Sequence, residues 1–217
     1  MKNLINQTFL EDGKKLITFV TGGDPDFETS KDIIKTIINN NIDIIEIGMP
    51  FSDPMADGPT IQLASNRAIK KEINLDKIFS LSKFAKNLKN NLPIILMGYY
   101  NMILHYGVKN FVTNCVKNGV DGLIVVDLQP EEDEELIENL KDSNIDLIRL
   151  ITPTTNEERL KLILQNASGF LYFVSVTGIT GQKSANLIEL EKSIRKIKNF
   201  TDLPVVPGFG IKNATDV

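Results

Sequence analysis

Seven short apolar runs rich in β-branched residues recur along the 217-residue chain, and each is followed by an amphipathic stretch. The runs are "LITFV" (16–20), "IDIIEIG" (42–48), "PIILMGYY" (93–100), "DGLIVVD" (121–127), "IDLIRLI" (145–151), "GFLYFVSV" (169–176) and "LPVVPGFG" (203–210). Between them stand "SKDIIKTIINN", "LDKIFSLSKFAKNL", "KNFVTNCVKNG", "EEDEELIENLK", "EERLKLILQN" and "LIELEKSIRKIKNF", with apolar residues three and four apart. Strand-helix alternation of this kind demands right-handed parallel crossovers, and runs apolar on both faces suit a parallel sheet covered by helices. Two architectures remain, an open doubly wound sheet and a closed barrel. The first run is followed by "TGGDPD" and not by G-x-G-x-x-G, which removes the main support for a dinucleotide fold. The alternation therefore predicts an α/β fold, a (β/α)₈ TIM barrel. Such a barrel takes about 250 residues, and the sequence stops at "GFGIKNATDV", where a seventh helix would start. The expectation is one barrel domain over residues 1–217, C-terminally incomplete, with the eighth βα unit missing.

Composition narrows the function classes. A hydrophobic content of 42% with 24% charged residues fits one domain with a sizeable core. The net charge of −4, with Lys and Arg unclustered, argues against a nucleic-acid partner. One cysteine, Cys115, excludes an intramolecular disulfide and a cysteine zinc site, and its place in "FVTNCVKN" predicts core packing. No apolar run approaches the roughly 18 residues that span a bilayer, so no membrane role is expected. A cytoplasmic location follows as the default, or a plastid stroma if the chain is plastid-encoded.

Barrel active sites form at the C-terminal ends of the strands. There "IIEIGMPFSDPMADGP" (44–59) places a carboxylate, Glu46, inside an apolar run. Alternation puts Glu46 on the lumen face if Ile45 and Ile47 pack against helices, and a lumen acid is costly unless paired or functional. Asp57 follows eleven positions later, beyond a loop restricted by Pro50, Pro54 and Pro59. The two acids could flank one small substrate, Glu46 on a rigid strand and Asp57 on a segment able to close. Asp57 also has a purely structural reading, since Asp-Gly-Pro suits a turn and a helix entry. Asp53 belongs to the loop.

Glycines in "TGITGQKSAN" (177–186) and "PGFGIKNA" (207–214) would let backbone N–H groups approach a phosphate, the second at a helix N-terminus. The acidic run Glu131 to Glu135 reads as a solvated first helical turn after Pro130. His105, the single histidine, reads as a loop or helix-end residue.

The stretches "FVTGGDPD", "IEIGMPFSDPMADGPTIQ", "LMGYYN", "DGLIVVDL", "LITPTT", "FVSVTGITG" and "PGFGI" stand in an order that resembles the tryptophan synthase alpha subunit family along nearly the whole chain. The resemblance implies a (β/α)₈ barrel that cleaves indole-3-glycerol phosphate, a phosphate ester, to indole and glyceraldehyde 3-phosphate. It makes Glu46 and Asp57 the catalytic acids, and places Phe19, Met97, Tyr99, Leu150 and Tyr172 around the indole ring. Thr180 matches a threonine that closes onto Asp57, and Gly181, Phe209 and Gly210 match donors to the phosphate. No cofactor is implied in this chain; pyridoxal phosphate belongs to the partner beta subunit, with which an alpha2-beta2 heterotetramer is implied. Pro50 to Pro54 and Asn101 would face that partner.

The sequence departs from the family pattern at three places. "QKS" replaces an arginine after the "TG" of the mobile loop, with Lys183 as its candidate substitute. Gly98 stands where a side chain is common and predicts a looser wall. A Gly-Ser phosphate segment of the eighth strand is missing. A catalytically weak fragment acting as a regulatory subunit of the beta chain is the alternative reading. A different phosphosugar barrel is disfavoured by "PFSDPMADGP".

Overall fold

The computed structural model describes residues 4–174 and 187–208. By its internal contacts the chain divides into two compact units, Met1–Asp146 and Leu147–Val217. In the first, helix α1 (Leu4–Leu10) leads to strand β1 (Ile17–Thr21), and α2 (Phe27–Asn39) to β2 (Ile44–Gly48). Helices α3 (Pro59–Lys70) and α4 (Leu75–Leu88) precede β3 (Ile94–Gly98), while α5 (Tyr100–Tyr106) and α6 (Val108–Lys117) precede β4 (Gly122–Val125). A 3₁₀ turn (Pro130–Glu132) and α7 (Glu134–Leu140) complete the unit.

Strands β1 to β4 pair in chain order and all in parallel. Side chains are buried on both faces of β2 and β4, which is why these runs read as continuously apolar. Caps set the helix starts: Asp26 accepts the Thr29 N–H at 2.9 Å for α2, and Asn74 accepts the Lys77 N–H at 3.0 Å for α4.

Two aspartates at strand entries repeat one device. Asp43 Oδ2 accepts the Leu16 N–H at 2.7 Å while the Asp43 N–H donates to Leu16 O at 3.0 Å. Asp121 Oδ2 accepts the Ile94 N–H at 2.8 Å while its own N–H donates to Ile94 O, also at 2.8 Å. Each aspartate clamps both backbone groups of one residue at the start of the preceding strand, Leu16 just before β1 and Ile94 first in β3, which pins the register. Register matters because a one-residue slip would turn every side chain of a strand to the other face. As paired, Glu46 lies opposite Phe19 of β1 and Ile95 of β3. Lys86 of α4 also reaches Asp121 Oδ2 at 2.7 Å and Leu92 O at 2.9 Å, joining a helix to the same clamp.

The second unit holds β5 (Asp146–Ile151), α8 (Glu157–Leu164), β6 (Leu171–Val174), α9 (Leu187–Lys198) and β7 (Val205–Gly208). β6 pairs with β5 and with β7, in parallel. Ile151, Leu160, Ile163, Leu171, Phe173 and Ile197 form its buried core.

Six of the seven predicted strands form within their expected ranges, trimmed at one or both ends, and β1 runs one residue past its range to Thr21; residues 175–176 and 209–210 of two of them lie outside the described residues. Helices α1, α3 and α5 had not been marked as helical stretches. The acidic run is also corrected. Its residues do not make one helical turn, because the 3₁₀ turn ends at Glu132 and α7 begins at Glu134. Asp133 between them is buried, and so is no part of a solvated face.

Candidate active site

The chemistry-bearing residues of the first unit gather at the C-terminal ends of its strands. A pocket there is lined by Phe19 and Thr21 of β1, Gly48 and Met49 at the end of β2, and Met97, Gly98 and Tyr99 at the end of β3. Asp57 from the β2–α3 loop, Ile61 and Ser65 from α3 and Val126 just past β4 close it. Three of the five predicted ring-wall residues, Phe19, Met97 and Tyr99, thus meet the predicted loop acid around one cavity.

Glycine at 48 is a requirement of that geometry. A Cβ there would stand 2.7 Å from Phe19 Cζ, so the Phe19 ring can lie across β2 only because position 48 has no side chain. The expectation of a loosened wall at Gly98 is corrected by its neighbour. A Cβ at 98 would meet Met49 Cε at 2.6 Å and Met49 Cβ at 3.0 Å, so the buried Met49 already occupies the space. A flexible thioether fills an irregular gap at little conformational cost.

Glu46 stands two residues before Gly48 on β2 and is 3% exposed. It is not among the pocket-lining residues, but its strand partner Phe19 is. Among the described residues its Oε1 has no hydrogen-bond partner. Burial without a countercharge disfavours the ionised form and pushes the Glu46 carboxyl up from the ordinary 4.5 to about 7. Near neutrality such a group exists in both protonation states, as a residue that must first give and then take a proton requires.

Asp57 is half-buried, and its surroundings are different. Burial raises its carboxyl above the usual range, while the hydroxyl of Tyr99, donating to Asp57 Oδ2 at 3.1 Å, opposes that rise. Its backbone is tied at both ends: the Asp57 N–H donates to Pro54 O at 3.0 Å, and Gln62 Nε2 donates to Asp57 O at 2.8 Å. The structural reading of "DGP" holds, since Pro59 is the first residue of α3 and Gly58 its N-cap, and the same Asp57 lines the pocket. Arg67 of α3 grips Asp24 with two bonds, of 2.7 and 2.8 Å, tying the loop after β1 to the same helix.

Leu150 and Tyr172 belong to the second unit. They are direct partners across β5 and β6, both half-buried, and so share one face. The Tyr172 ring lies over the backbone of Gly208, where an added Cβ would coincide with it. Thr180, Gly181, Phe209 and Gly210 lie outside the described residues, as do Lys183 and both glycine loops apart from Pro207 and Gly208.

His105 sits exposed in the last turn of α5, as expected. Cys115 is buried, and burial pushes its thiol up, which leaves it inert. Among the described residues no group of His, Cys, Asp and Glu could hold a metal ion, and no helix is long and apolar enough to cross a membrane.

The sequence reading missed Thr21, Gly48, Met49, Ile61, Ser65 and Val126 as pocket residues. Val126 was within reach of the strand-end rule, since it follows β4 directly. Ile61 and Ser65 were not, because nothing in one sequence says which turn of α3 faces the strand ends.

The family model of the tryptophan synthase alpha chain matches residues 5–217. The chain belongs to that family. A solved tryptophan synthase subunit alpha from Legionella pneumophila is 36% identical and superposes with a TM-score of 0.89, covering 97% of this chain and 79% of the other. A solved protein of Aquifex aeolicus is 37% identical with a TM-score of 0.89 over 98% of this chain and 81% of its own. A tryptophan synthase structure from Mycobacterium tuberculosis is 28% identical with a TM-score of 0.88, over 96% and 79%. The α/β fold of the barrel type predicted from the alternation is the fold of this chain and of the solved tryptophan synthase subunit alpha. The family activity is carbon-carbon lysis of indole-3-glycerol phosphate in tryptophan biosynthesis, and its members work with a beta chain.

Proposed function

We propose that Glu46 and Asp57 are the chemical pair with which this tryptophan synthase alpha chain cleaves indole-3-glycerol phosphate. The supporting observation is their contrast: Glu46 is buried, lacks a partner for Oε1 and is poised near 7, whereas Asp57 opens onto the pocket and is held by Tyr99. Indole is a poor carbanion leaving group. Glu46 in its acid form protonates indole C3, turning the ring into an electron-accepting tautomer. The resulting carboxylate then takes the proton of the hydroxyl on the adjacent side-chain carbon. The C–C bond breaks, its electrons return to the ring, and indole and glyceraldehyde 3-phosphate separate. Asp57 accepts a hydrogen bond from the ring N–H and stabilises the positive charge that develops there. The proton that Glu46 gives to C3 is matched by the one it takes from the hydroxyl, so it ends in its starting form.

Phe19, Met97 and Tyr99 are the apolar and aromatic walls for the ring in this reading, together with Leu150 and Tyr172. Thr180, Gly181, Phe209 and Gly210 lie outside the described residues, and the family resemblance supports a part for the first in loop closure and for the others in phosphate binding. The proposal retains one barrel domain, a cytoplasmic location and an alpha2-beta2 heterotetramer whose pyridoxal phosphate sits in the beta subunit. The partner-facing segment is the loop from Pro50 to Pro54 with Asn101, where Ser52, Asp53 and Asn101 are exposed.

Indole release from indole-3-glycerol phosphate, measured with and without added beta subunit, tests the reading. Turnover that rises on adding the partner is expected, and Glu46→Gln should lower it by about 10²-fold or more, the scale of a general acid-base contribution. Near-normal turnover in Glu46→Gln would sink the assignment.

A further inference from the structure

Tyr99 is 3% exposed, yet its hydroxyl is fully used. It accepts the backbone N–H of Ala56 at 3.0 Å and donates to Asp57 Oδ2 at 3.1 Å. One phenol at the end of β3 therefore grips two consecutive residues of the β2–α3 loop, one through the main chain and one through the carboxylate. The ring is itself fixed against Phe51 of that loop, with centroids 5.3 Å apart. Among the described residues no other side chain donates a hydrogen bond to the Asp57 carboxylate.

The rest of the loop is loosely held by comparison. Ser52 and Asp53 are exposed, and Met55 is 83% exposed. A carboxylate carried on such a loop has no fixed direction unless something rigid holds it. A strand end is rigid, and Tyr99 supplies the link. Because the Ala56 N–H takes up a lone pair of the phenol oxygen, the hydroxyl proton is directed to Asp57, and the two bonds polarise each other.

We propose that Tyr99 is a positioning residue for Asp57, holding Oδ2 through its hydroxyl so that Oδ1 is left to meet the substrate. This goes beyond walling the ring, and it rests on the reading that Asp57 is the loop acid. A wall and a positioning residue fail differently. Loss of a wall weakens binding of the ring whatever stands at position 57. Loss of the hydroxyl acts through the loop it holds, Ala56 by its N–H and Asp57 by its carboxylate, and of these Asp57 carries the chemistry.

The test is a double-mutant cycle on the alpha chain assembled with its beta subunit, using Tyr99→Phe, Asp57→Asn and the two together. Tyr99→Phe keeps the ring against Phe51 and removes only the oxygen. Loss of a hydrogen bond to a charged group should lower kcat roughly 10- to 150-fold, with KM changed less than kcat. In the Asp57→Asn background the same change should cost little further, because the group it acts through has gone. Losses that multiply across the cycle, or a loss confined to KM, overturn the proposal and leave the Asp57 reading standing. Near-normal turnover in Asp57→Asn overturns both.

Discussion

Replacing Glu46 by Gln should make the protein more stable above neutral pH and leave it unchanged in acid. The buried carboxyl is poised at about 7 against an ordinary 4.5, so the folded state holds its proton through a range where the unfolded chain has released it. Stability falls with pH wherever the folded state binds more protons. The penalty is therefore small below pH 4.5, grows as pH rises from 4.5 towards 7 and is complete above it. The shift from 4.5 to about 7 corresponds to about 3 kcal/mol at 1.36 kcal/mol per unit of pH. Gln is close in shape to the protonated acid and equally uncharged, so it carries the same packing without the titration. Urea unfolding of wild type and Glu46→Gln, followed across this pH range, should show equal stabilities at the acid end and a gap of about 3 kcal/mol in favour of the variant above about pH 8. The catalytic loss and the stability gain would then have one cause, an acid kept in the core without a partner. A gap that does not change with pH would refute the argument, because it would mean that Glu46 titrates alike in the folded and unfolded chain.

Gly98→Ala should destabilise the first unit by about 1–3 kcal/mol, the scale of overpacking, since its Cβ would meet Met49 at two points. Adding Met49→Ala should cost less than the sum of the two changes in urea denaturation, because the tighter of the two contacts, to Cε, is then gone. Lys86→Met should cost about 2 kcal/mol in the same assay, the scale of a hydrogen bond to a charged group, as it leaves the half-buried Asp121 without its cation. The Ile94 N–H would remain as that carboxylate's hydrogen-bond donor.

Much of the site was legible because its signals were local. Glu46 showed as a charge inside an apolar run, and Phe19 and Met97 showed as residues near strand ends in stretches that resemble the family. The two roles of Asp57-Gly58-Pro59 could not be separated from sequence, since turn chemistry and a loop acid use the same residue types; the structure contains both. Tyr99 was read as a wall because the family resemblance places its ring beside the indole. Its hydroxyl acts across 42 residues of chain, on a partner whose position depends on how the loop folds back. The error at Gly98 has a similar origin. One position appeared underfilled because the filler, Met49, comes from another strand end. The acidic run was misread because its charge pattern hid the single residue, Asp133, that turns inward.

By itself the sequence determined the strand-helix alternation and the parallel pairing that such crossovers impose, and it singled out Glu46, because periodicity and a charge in an apolar run are properties of neighbouring residues. Only the tertiary structure decided that the Glu46 Oε1 is left without a partner, that Met49 fills the place beside Gly98 and that Tyr99 holds Asp57. Burial, close contact and hydrogen bonding belong to pairs of atoms brought together by folding, and their energies depend on distance in space, which the order of residues does not specify.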